Sequence, residues 1–316
     1  MRFSQLLAGL CLAVGLNGQT LGADGEPTFD KVSFYFAAHQ DDWQLFMNPS
    51  AFHDVAGPKT KAVFVHMTAG DAGSGIGTRG RKHPFYLARE NGAEAAIRFM
   101  ADADGEPVNK TASYQRFNSH PVYRVSYRNT VSYFLRLPDG NPQGTGYFDT
   151  SYQSLRRLAG GDIDTLWAVD GSAAYRGWTD LAATVRAIVD FERDKTPDVR
   201  LNVAETDALI NPGDHSDHLM TAKAALDSVA NLACVRRAYY VNYASARLPE
   251  NLNMQQRDLE SAVFAVTAAG VRALDHVANW HWYDRSYVGR NYFRVEEGRG
   301  RCGEAAPILS AVKRRK

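Results

Sequence analysis

Two short groups of histidine and aspartate stand at places in this 316-residue sequence where a reaction could occur. The first group, Ala-His-Gln-Asp-Asp at 38–42, directly follows an apolar run and supplies His39, Asp41 and Asp42. His39 and Asp42 offer imidazole and carboxylate ligands, which suit zinc or a similar first-row divalent ion. A catalytic metal site needs about three protein ligands and an open position for water, so this group alone lacks one ligand.

The second group, His-Ser-Asp-His at 215–218, follows a predicted strand and a turn and opens a predicted helix. Ser216 is the expected N-cap, and Asp217 lies in the first turn, where the helix dipole favours a carboxylate. His215 and His218 then both project from the start of the helix. His218 can therefore supply the third ligand.

Each group alone also has a purely structural explanation. A His-x-x-Asp pair at a strand end is more often a hydrogen-bonded pair, and a His-x-x-His pair at a helix start is as often structural as metal-binding. Together, at the ends of predicted buried strands, the two groups favour a metal site. The remaining histidines are interpreted as structural or surface residues, namely His53, His66, His83, His120, His276 and His281.

The elements that must position these groups are those of an α/β protein. The runs at 32–38 and 61–67 are apolar without polar alternation, which is typical of strands buried on both faces of a parallel sheet. In open α/β sheets, ligands collect beyond the carboxyl ends of such strands. Further strands are predicted at 122–126, 131–137, 198–204 and 239–243, and helices at 84–101, 152–158, 179–193, 258–274 and from the second group to about 232. We predict a Rossmann-like, mostly parallel sheet flanked by helices, with the active site at the carboxyl ends of the strands.

Composition and charge narrow the classes of partner. With 45% hydrophobic residues, the chain can bury the core of one domain. The formal net charge of +1 argues against nucleic acid or another bulk electrostatic partner. The basic run at 313–316 is expected to be a solvated tail, and no stretch after the leader is apolar and long enough to span a membrane. The oligomeric state stays open.

Residues 1–23 have the character of a signal peptide. A basic residue precedes an apolar stretch at 6–16, which has the length of a signal-peptide core and is too short for a membrane span. Small residues at 22–23 offer a cleavage site, so we expect a secreted or periplasmic protein. Cleavage would leave Cys234 and Cys302, which could form a disulfide in an oxidising compartment or remain two buried thiols.

In type and order, the two groups resemble motifs of the PIG-L/LmbE-like family of zinc-dependent N-deacetylases. Residues 38–42 are similar to the family's Ala-His-Pro-Asp-Asp motif, and 215–218 to its His-Pro-Asp-His motif. Thr-Ala-Gly-Asp-Ala-Gly at 68–73 resembles the Thr-x-Gly-x-x-Gly segment of the family, and Leu-Pro-Asp-Gly at 137–140 resembles a turn of the same sequence.

The resemblance covers about 30–235 and implies one deacetylase domain over 24–316, with a divergent part at about 236–316. It implies three ligands for Zn²⁺ or another divalent metal, namely His39, Asp42 and His218. Asp41 would be the general base, and His215 would stabilise the oxyanion or protonate the leaving amine, with Asp217 orienting it. The implied reaction is hydrolysis of the acetamide of an N-acetylglucosamine-type sugar or glycoconjugate. The alternatives are an amidase on another N-acylated substrate, such as an antibiotic or thiol conjugate, and a non-catalytic glycan-binding homologue.

Some positions depart from the family's pattern. Gln40 and Ser216 replace prolines, which changes backbone stiffness but no reacting group. Trp43 stands where the family has glutamate, and we expect it to pack inward rather than offer its indole to a sugar. Gly92 stands where related helices often have glutamate. Five residues of the divergent part are either a substrate-binding wall or core aromatics with surface arginines, namely Trp280, Trp282, Tyr283, Arg285 and Arg290.

Overall fold

The computed structural model describes residues 29–103 and 105–302. The expected signal peptide at 1–23 and the basic run at 313–316 lie outside these residues. Across the two described ranges, no helix combines the length and the apolar character that crossing a bilayer requires.

A large sheet organises the described residues. Its strands and those of a small ribbon are β1 (Lys31–Ala37), β2 (Thr60–Thr68), β3 (Thr111–Phe117), β4 (His120–Tyr127), β5 (Thr130–Leu137), β6 (Thr165–Trp167), β7 (Ala174–Arg176), β8 (Asp198–Ala204), β9 (Arg236–Tyr240) and β10 (Phe293–Glu296). Eight strands form the sheet in the order β10-β9-β8-β1-β2-β5-β4-β3, and β6 pairs with β7. The run β9-β8-β1-β2-β5 is parallel, whereas β10, β4 and β3 pair antiparallel at the two edges. The predicted mostly parallel α/β sheet is therefore confirmed.

Helices cover both faces of the sheet. They are α1 (Asp42–Phe46), α2 (Ser50–Ala56), α3 (Phe85–Ala101), α4 (Leu155–Gly160), α5 (Gly177–Arg193), α6 (Ser216–Ser228), α7 (Met254–Ala273) and α8 (Trp280–Ser286). Because neighbouring residues of a strand point to opposite faces, β1 contributes to two cores. Phe34 and Phe36 join a core with α4, α5 and α6, whereas Tyr35 and Ala37 join a core with α1, α2, α3 and α7. The prediction of a first strand buried on both faces is thus confirmed.

The start of α6 differs from the prediction. The N-cap is His215 rather than Ser216, because the His215 ring nitrogen Nδ1 accepts a hydrogen bond from the Asp217 backbone N–H. Ser216 becomes the first helical residue. The helix ends at Ser228, short of residue 232, and the chain then turns toward β9.

Other boundaries also differ from the prediction. The helix expected from 152 begins at Leu155, because Ser154 accepts the Arg157 N–H as the N-cap. The helix expected from 258 begins at Met254 through a capping box between the side chains of Asn253 and Gln256. The strand expected at 239–243 ends at Tyr240, where its pairing with β8 ends.

Cys234 and Cys302 form a disulfide, which settles the two alternatives left open by the sequence. The bond joins the segment before β9 to the end of the described chain. Cys302 is also held by its backbone N–H, which donates to the Pro197 carbonyl oxygen just before β8.

Helices α3 and α7 approach closely at two glycines. A Cβ on Gly92 would lie 2.7 Å from the Thr267 carbonyl oxygen, and a Cβ on Gly270 would lie 2.7 Å from the Gly92 Cα. Gly92 therefore permits the helix contact, and a glutamate there would not fit.

Gly92→Ala is expected to lower the free energy of unfolding by about 1–3 kcal/mol, because the added methyl overpacks a backbone contact. Gly160→Ala is the matched control, since its Cβ meets no atom closer than 3.7 Å and the site is exposed. Urea unfolding of both variants measures the difference. Equal midpoints would contradict the close approach of the two helices.

Candidate metal centre

Histidine and aspartate side chains from three loops meet beyond the carboxyl ends of the parallel strands. His39 and Asp42 follow β1, Asp139 follows β5, and His215 and His218 lie at the start of α6 beyond β8. Parallel strands end at one edge of a sheet, so the loops that follow them converge. The carboxyl ends of the parallel strands therefore bring together both groups that were identified in the sequence.

Three of these side chains form a compact triangle of ligand atoms. His218 Nε2 lies 3.1 Å from Asp42 Oδ1 and 3.3 Å from His39 Nδ1, and His39 Nδ1 lies 3.4 Å from Asp42 Oδ1. Ligand atoms of a tetrahedral zinc with bonds of about 2.0–2.1 Å stand roughly 3.3 Å apart. All three residues are buried, and together they could hold a metal ion.

A second group shares His39 and lies on the other side of its ring. It comprises His39, Asp139, His215 and Asp217, whose ligand atoms lie within 4.8 Å of one another and could also hold a metal ion. His39 Nε2 lies 3.6 Å from Asp217 Oδ2 and 3.9 Å from Asp139 Oδ2. Asp139 was predicted only as part of a turn. A carboxylate two residues after a buried strand is nevertheless a signal of a site residue that the sequence carries.

Carboxylates also lie beside the outer ring nitrogens of His218 and His39. His218 Nδ1 lies 2.8 Å from Asp214 Oδ1, and Asp214 Oδ2 accepts a hydrogen bond from Asn211 at 2.8 Å. His39 Nε2 faces Asp217 at the longer distance of 3.6 Å, which is beyond hydrogen-bond range. Carboxylates in this position orient a ligating imidazole and raise its basicity. Asp214 was missed in the sequence because its role depends on the side chain reaching one helical turn ahead.

Charges in the cluster favour a cation. Burial lowers the pKa of His39, but Asp42, Asp217 and Asp139 outweigh it and raise that pKa to about 10. The pKa of His218 is raised for the same reason by Asp214 and Asp42, despite burial. Burial opposes ionisation of Asp42, yet His218 and His39 hold its pKa well below the usual range.

Zinc affinity is expected to rise with pH. The pKa of His39 is raised to about 10 and that of His218 is also raised, so at neutral pH a metal must displace protons from both rings. Each displaced proton contributes up to about tenfold in affinity per pH unit. Competition with a chelator between about pH 6 and pH 8 measures the slope. An affinity that is independent of pH would contradict ligation by these rings.

His215 stands outside the triangle and lines the adjoining cavity. Because its Nδ1 accepts the Asp217 backbone N–H at 3.1 Å, the neutral ring carries its proton on Nε2. Burial and the neighbouring His39 and His218 lower the pKa of His215 to about 2. The carboxylate of Asp217 lies 3.8 Å from Nδ1 and accepts the Gly140 N–H at 2.8 Å. The backbone of Asp217 therefore makes the closer contact with His215.

Asp41 lies beside the triangle and also lines the cavity. Its carboxylate pairs with the Arg89 guanidinium, which donates a second hydrogen bond to the Gly70 carbonyl oxygen at 3.1 Å. Arg89 thereby fixes the direction of the carboxylate. Arg89 was not predicted as a site residue, because its partner is 48 residues away in the sequence.

Trp43 packs inward, as predicted. Its indole is fully buried against Phe64, and Nε1 donates a hydrogen bond to His66 Nε2 at 3.2 Å. Burial lowers the pKa of His66 to about 4, which keeps the ring neutral as an acceptor. His66 is thus structural, as predicted.

The aromatic residues of the divergent part divide among the core, the surface and the cavity. Trp280 stacks on Phe264, with ring centroids 5.3 Å apart, whereas Trp282 is exposed. Tyr283 lines the cavity, and Arg290 donates a hydrogen bond to the Leu248 carbonyl oxygen. Of the candidates for a substrate-binding wall, the structure places Tyr283 at the cavity.

Asp214→Asn is expected to weaken zinc binding by roughly 10–100-fold, because the amide keeps the shape but removes the charge behind His218. Asp207→Asn is the matched control, since it lies in the same loop and is exposed. Zinc titration of both variants against a competing chelator gives the ratio. Equal affinities would show that Asp214 does not support the ligand.

Compared with known protein families and with curated proteins, the chain matches no family and no curated protein.

Proposed function

We propose that this protein is a metal-dependent N-deacetylase that hydrolyses the acetamide of an N-acetylglucosamine-type sugar or glycoconjugate. One observation carries the proposal: the metal-sized triangle of His39, Asp42 and His218 borders a cavity whose wall also includes a carboxylate, Asp41, and an imidazole, His215. Hydrolysis of an unactivated amide needs a Lewis acid, a base and a donor to the oxyanion, and this cavity offers a candidate for each.

The proposed roles follow from position. His39, Asp42 and His218 would hold the ion, which we propose is Zn²⁺. A bound divalent ion lowers the pKa of a water toward ~7 and polarises an amide carbonyl.

Asp41 takes a proton from the attacking water and passes it to the leaving amine, while Arg89 keeps its carboxylate aimed into the cavity. His215 donates from Nε2 to the oxygen that becomes negative as water adds to the carbonyl carbon. The backbone N–H of Asp217 donates to the ring of His215 and orients it. The carboxylate of Asp217 faces the outer nitrogen of His39. The products are a carboxylate and a free amine.

We also propose export through residues 1–23. The disulfide between Cys234 and Cys302 supports this, because such bonds persist in oxidising compartments.

A second candidate function is an amidase on another N-acylated substrate. It is favoured by the apolar part of the cavity wall, which includes Phe85, Phe264 and Val271. An acetyl methyl group would leave most of that wall uncovered.

Release of primary amine from a panel of N-acetylated compounds tests the proposal. We expect N-acetylglucosamine oligomers to be hydrolysed by the zinc-loaded protein and not by its Asp41→Asn variant. Hydrolysis of acylated thiol conjugates or antibiotics alone would favour the second candidate. Equal rates for the two proteins would contradict the proposed base.

A further inference from the structure

The cavity at the metal cluster extends well beyond the reacting groups. It has a volume of about 210 Å³, which is room for on the order of ten water molecules. His39, Asp42, Asp139 and His215 line the polar part of this cavity. Another part of the wall is an apolar arm between α3, α7 and the segment that leads into α8, which we define by Phe85, Phe264, Ala268, Val271 and Val277.

The apolar arm has little capacity for hydrogen bonding. The polar side chains that line the cavity near these residues are Thr267, Asn279, Tyr283 and Arg89. Arg89 is already paired with Asp41 and the Gly70 carbonyl oxygen. The Thr267 hydroxyl already donates to the Val263 carbonyl oxygen at 3.0 Å. A hydroxylated sugar ring placed here would lose most of its hydrogen bonds to water, and each loss costs free energy.

We infer that the apolar arm binds the acyl side chain of the substrate, so that the site accepts N-acyl groups several carbons longer than acetyl. This inference rests on the proposed function and names its substrate class: amines that carry a medium-length, unbranched fatty acyl group.

The acyl side of the amide fits the arm better than the amine side does. The carbonyl carbon must reach the metal cluster, and the acyl chain continues directly from that carbon into adjoining space. The amine side of an amino sugar carries hydroxyl groups that the arm cannot satisfy. The cavity volume also exceeds the volume of one methyl group. Burial of a longer apolar chain against this apolar wall is favourable.

Binding of the product acids tests the inference without any turnover. The zinc-loaded protein is titrated with acetate, butyrate and hexanoate by calorimetry. Burial of each added methylene is worth roughly fourfold in affinity, so we expect hexanoate to bind at least about tenfold more tightly than acetate. Equal affinities for the three acids would overturn the inference.

Two variants locate the effect. Ala268→Phe fills the arm and is expected to abolish the preference for hexanoate over acetate. Ala269→Phe is the matched control, because this neighbouring residue on α7 is exposed, and the preference should persist. If Ala268→Phe does not fold, Ala268→Val is expected to reduce the preference partially. A preference unchanged in a folded Ala268 variant would overturn the assignment.

Failure of the inference can be separated from failure of the proposed function. Release of amine from N-acetylglucosamine oligomers with no gain for longer acids overturns the acyl arm and leaves the deacetylase standing. Failure of all three acids to bind also overturns the arm, and the amine-release assay then decides the proposed function independently.

Discussion

Asp42→Asn is expected to abolish stoichiometric zinc binding. Asp42 Oδ1 lies within 3.4 Å of both histidine nitrogens of the triangle and is its one anionic ligand. Losing that charge should cost more than the roughly 10–100-fold typical of outer contacts. Zinc content after dialysis and the dissociation constant measured against a chelator report the loss.

The adjacent carboxylate supplies the control. Asp41→Asn makes the same chemical change one position earlier, yet it should leave zinc bound at wild-type stoichiometry, because Asp41 belongs to neither candidate ligand group. Zinc retained by the Asp42 variant, or lost equally from both variants, would contradict the assigned ligand set.

Asp41→Asn is expected to lower kcat by about 10²–10⁴-fold on any substrate that the protein hydrolyses, because the general base is lost. Asparagine still accepts a hydrogen bond from Arg89, so the local structure should persist. Steady-state release of amine measures the effect, with zinc content determined on the same sample.

Asp149→Asn serves as an inert comparison, since Asp149 is an exposed carboxylate in the loop that follows β5, at the same end of the sheet. A folded, zinc-loaded Asp41→Asn protein with wild-type kcat would exclude Asp41 as the base.

Local pattern was enough to predict the parallel strands of the sheet and the meeting of His39, Asp42 and His218 at their carboxyl ends. The unbroken apolar run of β1 indicated a strand buried on both faces, and its abrupt end fixed the position of His39 and Asp42. The parallel pairing of β1 with β8 then brings His218 to the same edge. These features depend on hydrophobic periodicity and on the common direction of parallel strands, both of which a single sequence carries.

The contacts that support the site residues could not be predicted from the sequence in the same way. Arg89 meets Asp41 across 48 residues, and Asp139 and Asp217 reach His39 from two other loops. Such pairs depend on tertiary packing, which leaves no periodic pattern in the local sequence. The cap of α6 was wrong for a different reason: Ser216 is the ordinary capping residue, but the imidazole of His215 takes that place.

The divergent part was the least predictable. Helix α7 packs on α3 through glycines. Whether Phe264 and Val271 line a cavity depends on how these two helices pack. From the sequence, the aromatic residues after 235 could be wall or core, whereas the structure places Trp280 in the core, Tyr283 at the cavity and Trp282 on the surface.

Metal content paired with restorable activity tests the central claim most directly. The purified protein is assayed for bound zinc and for amine release from N-acetylglucosamine oligomers before chelation, after chelation and after zinc is restored. We predict about one zinc per chain, loss of activity on chelation and its return with zinc. Amine release that persists in the fully chelated protein would contradict a metal-dependent deacetylase, as would a chain that binds no zinc.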